Sequence, residues 1–245
     1  MNIEHLKLNI LQFFGDIYMN EEEHKYYLNN KPLKISVSGV IKNFYKPFDS
    51  YNISKNSAKK HGVTQESLLK EWDNNKDAAC EKGNKAHKFG EVYPFNRHLK
   101  PKTKQDEAIV KFWNELPDYI VPVMAECMMY HKKYLFPGTM DILLYNLITG
   151  EYIIADYKTN KDLFKNYNNQ KMLGVFSNML ETPFSKYVIQ LSLYQILLQQ
   201  ISGIKISSRK IIWLKDDGDY VLYDAEDLTE TLNKELETIN FEIAC

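Results

Sequence analysis

Hydrophobic and polar positions change their period several times along this chain, and each change marks an expected element. From His24 to Val37, short apolar stretches flank Asn29, Asn30 and Lys31, which predicts two short strands in a peripheral hairpin. Ser54 to Lys60 predicts a short helix stopped by Gly62. Thr64 is then placed to cap a longer helix running through Leu68, Leu69 and Trp72 towards His87. Along its second half Ala79, Gly83, Ala86 and Gly90 recur at helical spacing, so one face carries almost no side-chain bulk. Such a face suits close packing on a sheet; a direct ligand contact is the alternative.

After the basic, proline-containing stretch His98 to Lys104, residues Asp106 to Leu116 read as another helix. Three apolar-rich segments follow: Tyr119 to Tyr130, Leu135 to Tyr145 and Glu151 to Thr159. Their β-branched and aromatic content, short length and intervening turn residues predict strands. Asn160 to Pro183 is a Lys- and Asn-rich connector, expected to be helical in part. Tyr187 to Ile201 is apolar nearly all round, as befits a helix buried between layers. Arg209 to Leu214 and Tyr220 to Asp224 predict a hairpin about Asp217 and Gly218, followed by a helix near Ala225 to Leu236. Neither an internal repeat nor a linker divides the chain, so a single domain over residues 1–245 is expected.

Composition narrows the class. With 245 residues, 44% hydrophobic and 26% charged, the chain can bury a real core, which excludes disorder and a small disulfide scaffold. The 31 basic and 32 acidic residues leave a formal charge of -1, so nucleic acid would have to be gripped locally rather than by bulk charge. Cys80, Cys127 and Cys245 are odd in number and far apart, which fits neither a disulfide framework nor a CxxC metal knuckle and points to a reducing compartment. Met1 to Glu4 lacks the start of a secretory signal, and no apolar stretch is long enough to span a bilayer. A cytoplasmic protein without membrane contact is expected.

The chemistry gathers on the three central strands. If the second and third pair about a turn at Ile148 and Thr149, Asp141 and Asp156 oppose one another with Cβ atoms roughly 5 Å apart. A turn at Lys133 and Tyr134 likewise sets Glu126 opposite Asp141. Lys158, two residues beyond Asp156, shares its face by strand alternation. Three ionised acids this close either rise in pKa or hold a cation, and their oxygen character favours Mg²⁺ or Mn²⁺ over zinc. A carboxylate-held divalent ion with a nearby lysine suits hydrolysis of a phosphodiester. The bland alternative is a surface row in which the acids simply pair with lysines. His87 and Glu91 stand at i, i+4 on the small-residue helix, where the imidazole either completes a metal site or pairs with Glu91. Gln190 and Tyr194 share the same spacing on the buried helix, and their polar groups need partners: a phosphate, an attacking water or a backbone carbonyl.

Taken in order, these residues resemble the PD-(D/E)XK nuclease superfamily, in its RecB-like exonuclease branch. The matching pieces are Gly83-Asn-Lys-Ala-His87 with Glu91, Gly138-Thr-Met-Asp141, Asp156-Tyr-Lys158-Thr159 and Gln190-Leu-Ser-Leu-Tyr194. Ile35-Ser-Val-Ser38 with Gly39-Val-Ile41 is similar to a segment that often precedes the first helix in such proteins. The resemblance covers residues 35 to about 215, leaving 1–34 and 216–245 as peripheral elements.

That resemblance implies an α/β fold: a central mixed β-sheet flanked by helices, a restriction-endonuclease-like core with an extra N-terminal hairpin and helices. It implies a divalent metal held by His87, Asp141, Asp156 and the backbone carbonyl of Tyr157, with Glu126 as a further or outer ligand and Glu91 behind His87. Lys158 would assist the nucleophile and the scissile phosphate, while Gln190 and Tyr194 position water or DNA backbone. Some relatives carry an iron–sulfur cluster on four cysteines; three scattered cysteines imply none here. The expected activity is that of a Mg²⁺- or Mn²⁺-dependent DNA exonuclease acting on single-stranded ends or overhangs. A compact phage-type member would work in the host cytoplasm, in recombination or repair, alone or beside a separate helicase or recombination partner. Lys100, Lys102 and Lys104 with Lys161, Lys165 and Lys171 are candidates for tracking the phosphate backbone, or else a solvated surface. The competing functions are a structure- or sequence-specific DNA endonuclease, and an inactive nucleic-acid-binding module that keeps the nuclease fold.

Overall fold

The computed structural model describes residues 3–241. It opens with helix α1 (Ile3–Phe14), which buries Ile10 and Phe14. A small antiparallel sheet follows: β1 (Ile17–Asn20), β2 (Lys25–Leu28) and β3 (Lys31–Pro32). The turn at Asn29 and Asn30 is as expected, with both residues at positive φ, a conformation that asparagine tolerates better than most. Helix α1 and strand β1 were not among the expected elements. The helix packs its apolar stripe on the first strand of the main sheet, so residues 3–14 belong to the core rather than the edge.

Helix α2 (Val37–Ile41) buries Val37, Val40 and Ile41. Helix α3 (Ser50–His61) is capped by the Asp49 side chain and ends on Gly62 at φ 67°. Thr64 caps α4 (Gln65–Val92) by accepting from the Ser67 N–H at 3.1 Å, and the helix runs past His87 as expected. Of the four small residues on its second half, Ala86 and Gly90 are buried, Gly83 is half-buried and Ala79 is exposed. Close packing is thus confined to the last turns. A Cβ on Gly90 would stand 2.8 Å from Tyr157 Cδ2, with no room to give. Helix α5 (Lys104–Glu115) starts with a reciprocal box between Thr103 and Asp106.

The central sheet is mixed and five-stranded, ordered β4 (Ile120–Tyr130), β5 (Pro137–Asn146), β6 (Glu151–Lys158), β7 (Ile206–Leu214) and β8 (Tyr220–Asp224). Only β6 and β7 run parallel, joined by a crossover through α6 (Pro183–Leu198). Residues 159–182 form an irregular connector whose helical content is one short turn at Gly174–Phe176. One face of the sheet packs on α1, α2, α6 and the final helix α7 (Thr229–Leu236) through Ile154, Leu143, Ile189 and Leu232. The other packs on α4 and α5 through Ala86, Ile109, Trp113, Ala155 and Tyr157. This is the expected α/β class: a mixed sheet between helical layers, with a small antiparallel sheet beside it. The closing segment, like α1, contributes to the core through Leu228, Leu232 and Leu236. Among the described residues no helix is long and apolar enough to cross a membrane. Cys80 is exposed and Cys127 buried, both as free thiols, and Cys245 lies outside the described residues.

Candidate active site

The registers inferred from the turns are those of the sheet. Ile142 pairs with Ala155, which puts Asp141 and Asp156 next in line just past the last paired residues. Ala125 pairs with Ile142 and Cys127 with Met140, so Glu126 and Asp141 are set opposite by the same register. The expectation of a plain row needs one correction. The ladder skips Glu126, whose φ is 48°, and the register shifts by one residue between Pro122 and Met124. A residue in the left-handed region kinks the strand locally and redirects its side chain, at a cost of roughly 1–2 kcal/mol.

His87 comes to this site from α4. Its Nδ1 lies 3.2 Å from Asp141 Oδ2, and ligand atoms of His87, Glu126 and Asp141 all fall within 4.8 Å of one another. Asp141 also accepts from the Tyr157 N–H at 2.8 Å. Glu91, expected behind His87, is exposed and acts on Glu126 only through its charge. Tyr157 turns its ring to the opposite face, where its hydroxyl accepts from Trp113 Nε1 at 2.7 Å, anchoring β6 beneath the acids.

Asp156 is almost fully buried. It ion-pairs with Lys158 through Oδ2, while its Oδ1 has no hydrogen-bond partner. A buried carboxylate oxygen without a donor is a costly arrangement, and it is relieved by protonation or by a cation. Electrostatics agree with that reading. Burial and the Asp141 charge push Asp156 up to about 6. Burial, with Asp141 and further acids, pushes Glu126 up to about 8. Asp141 raises His87 to about 9 against the opposing effect of burial. For Asp141 itself burial acts upward, yet His87, Lys158 and the Tyr157 N–H together hold it below the ordinary carboxylate value. Lys158 stays above the ordinary lysine value because Asp156 and Asp141 outweigh its burial. Of these groups, His87, Glu126 and Asp141 lie close enough together that they could hold a metal ion. That donor set of one imidazole and two carboxylates suits a divalent ion, while Asp156, expected as a ligand, lies outside the group with its Oδ2 engaged by Lys158.

The chain matches no protein-family model and no curated protein. The site therefore stands on its own geometry.

Two residues of α6 close it from above. Gln190 donates to the Tyr194 hydroxyl at 2.7 Å, which leaves the phenol proton to donate elsewhere. Tyr194 is pushed well above the ordinary phenol value by burial and by the charges of Asp156 and Asp141. Gly138 is needed here, since a Cβ would stand 2.7 Å from Val37 and 2.8 Å from Tyr194. The lysines singled out for backbone contact are all exposed. Lys104 pairs with Glu107 at 2.7 Å, and Lys165 lies over the Tyr167 ring.

Several site residues gave no sequence signal. Tyr26 of β2 reaches over from the small sheet and shares a 2.8 Å hydrogen bond with Thr139, two residues before Asp141. The hairpin read as peripheral thus touches the site. Tyr187 of α6 lies under the Lys158 ammonium, 4.4 Å from ring centroid to Nζ. Its hydroxyl donates to Asn160 Oδ1 at 2.7 Å, and Trp213 Nε1 donates to the Asn160 carbonyl at 2.7 Å. Only the position of Asn160, two residues past Lys158, could have drawn attention to it.

Proposed function

We propose that this chain is a metal-dependent DNA exonuclease that hydrolyses phosphodiester bonds at single-stranded ends or overhangs. The observation that carries the reading is the convergence of His87, Glu126 and Asp141, with Asp156 ion-paired to Lys158 nearby and one Asp156 oxygen buried and unpartnered. The choice of DNA ends rests on the resemblance of the ordered motifs to RecB-like exonucleases. Work in a cytoplasm, that of a host if the chain is phage-encoded, follows from the same resemblance.

His87, Glu126 and Asp141 would hold the ion, with Asp156 as a further ligand and the Tyr157 carbonyl as the backbone donor. Bound Mg²⁺ or Mn²⁺ supplies charge neutralisation at the phosphate and a more acidic water. Asp141 is oriented by the Tyr157 N–H, so its free lone pairs have a fixed direction. Lys158 remains an ammonium and cannot act as a base; its work is electrostatic, on the negative charge that builds up on the phosphate oxygens. Gln190 and Tyr194 form a hydrogen-bonded unit able to orient a phosphate oxygen or water from the α6 side.

Purified protein is incubated with labelled single-stranded DNA in Mg²⁺, Mn²⁺ or chelator, beside Lys158→Ala and Asp156→Asn. Expected is cleavage that needs the metal and is lost in both variants. Cleavage that survives chelation, or full activity in both variants, overturns the site. A covalently closed circle left intact separates an exonuclease from an endonuclease, and absence of any cut under either metal leaves a nucleic-acid-binding module.

A further inference from the structure

Beyond Lys158 the chain leaves β6 along the edge of a cavity of about 410 Å³, lined by Asn160, Lys161, Trp213, Lys215, Asp216 and Asp217. Because β6 and β7 are parallel, their C-terminal ends lie side by side, and Trp213 is the register partner of Lys158. The cavity therefore begins beside Lys158, although neither His87 nor any acid of the candidate site lines it. Its chemistry is more selective than its residue names suggest. Asp216 is already engaged: Lys82 of α4 ion-pairs with it and Gln105 donates to it at 2.8 Å. Asp217 accepts from the Asp219 N–H at 3.0 Å. Asn160 is held through its side-chain oxygen by Tyr187 and through its carbonyl by Trp213, which leaves its NH₂ group to donate elsewhere. The Lys215 ammonium is fixed 3.4 Å from the Trp213 ring centroid. Lys161 is exposed beside them, and its charge also acts on Asp216. Two ammonium groups and an oriented amide, set one step from Lys158, make a donor set for an anion carrying several acceptor oxygens.

We propose that this cavity takes the phosphodiester next to the scissile one in a single-stranded nucleic acid, with Lys161, Lys215 and the Asn160 NH₂ as its donors. This rests on the nuclease reading for the position of the scissile phosphate. The adjacent unit would be gripped outside the acid cluster, so its binding energy registers the strand without touching the reacting atoms. A pocket of this size accommodates a phosphate with its sugar.

The test uses the full chain with a fluorescent oligothymidylate. Its Kd is measured in chelator across a salt series, and its KM and kcat are measured in Mg²⁺, for the wild type, Lys161→Ala with Lys215→Ala, Asn160→Ala, and Lys55→Ala as a remote lysine control. Expected for the double variant is a Kd and KM about tenfold higher, kcat within about twofold, and a salt slope shallower by about 0.7, the value for one phosphate on a single strand. Asn160→Ala is expected to raise KM as well, and Lys55→Ala to change nothing. Thermal melting checks that each variant is folded. Cleavage by the wild type with KM unchanged in the folded double variant overturns the subsite and leaves the nuclease standing. Oligonucleotide binding that the double variant loses, without cleavage under either metal, removes the nuclease and leaves the cavity as a phosphate-binding site only. A wild type that neither binds nor cuts overturns both.

Discussion

Gly90 of α4 packs against the ring of Tyr157 so closely that a single added carbon would collide with it. That contact sets the height of the helix above the sheet, and His87, one turn earlier, reaches Asp141 only at that height. Gly90→Ala is accordingly expected to destabilise the fold by about 1–3 kcal/mol through overpacking. It should also weaken divalent-ion binding, although no ligand is altered. Denaturant unfolding and metal titration of the variant check the two effects together.

Asp156 and Lys158 are expected to separate activity from stability. Both Asp156→Asn and Lys158→Ala should lower cleavage by at least about 10²-fold, the usual scale for removing a preorganised electrostatic contact. Their metal-free melting temperatures should fall unequally at pH 8. Asp156→Asn leaves the Lys158 ammonium with Asp141 as counter-charge and removes a buried charge that Asp141 repels. Lys158→Ala leaves both carboxylates without that cation and should cost more, about 3 kcal/mol. A melt of each variant in chelator reads the difference.

Glu126 can be tested through its backbone. At φ 48° glycine is favoured over any residue with a Cβ, so Glu126→Gly should be more stable than Glu126→Ala by about 1 kcal/mol. Both should lose the same metal affinity, since both lose the carboxylate. Equal stabilities would show that the strand straightens when the acid is removed.

The pH dependence follows from three raised groups. Folded-state values of about 6 for Asp156 and about 8 for Glu126 lie above their unfolded ones, as does about 9 for His87. A raised group stabilises the fold fully below its unfolded pKa, and that contribution is lost as pH rises through the folded value. Asp141 works the other way, and its contribution is lost only at acid pH. The metal-free protein should therefore lose stability steadily from about pH 5 to pH 9. Divalent-ion affinity should climb over the same range as protons leave the ligands. Melting curves with chelator and with saturating Mg²⁺ should diverge as the pH is raised.

Much of this was legible in the chain for reasons that can be named. The turns at Ile148 and Thr149 and at Lys133 and Tyr134 are short, and a short turn fixes the register. Asp141 and Asp156 could thus be set opposite each other by counting. Thr64 and Gly62 marked helix ends because their roles are local. Helix α1 was there to be read, since Ile3, Leu6, Ile10, Phe13 and Phe14 recur at helical spacing and pack on the core. The Glu126 kink escaped because an acid at positive φ has no sequence signature. The missing helix in the connector has a similar origin: Lys- and Asn-rich segments take their conformation from whatever they cross.

By itself, then, the sequence determined what depends on neighbours within a few residues: helix caps, strand alternation, hairpin register, and so the grouping of Glu126, Asp141, Asp156 and Lys158 on adjacent strands. Tertiary structure alone decided which partner His87 takes, that Glu91 stands outside, and that Tyr26, Tyr187, Asn160 and Trp213 border the site. The reason is distance along the chain. Each of these contacts joins segments tens of residues apart, and no local propensity encodes it; packing of α4 and α6 on opposite faces of the sheet brings them together.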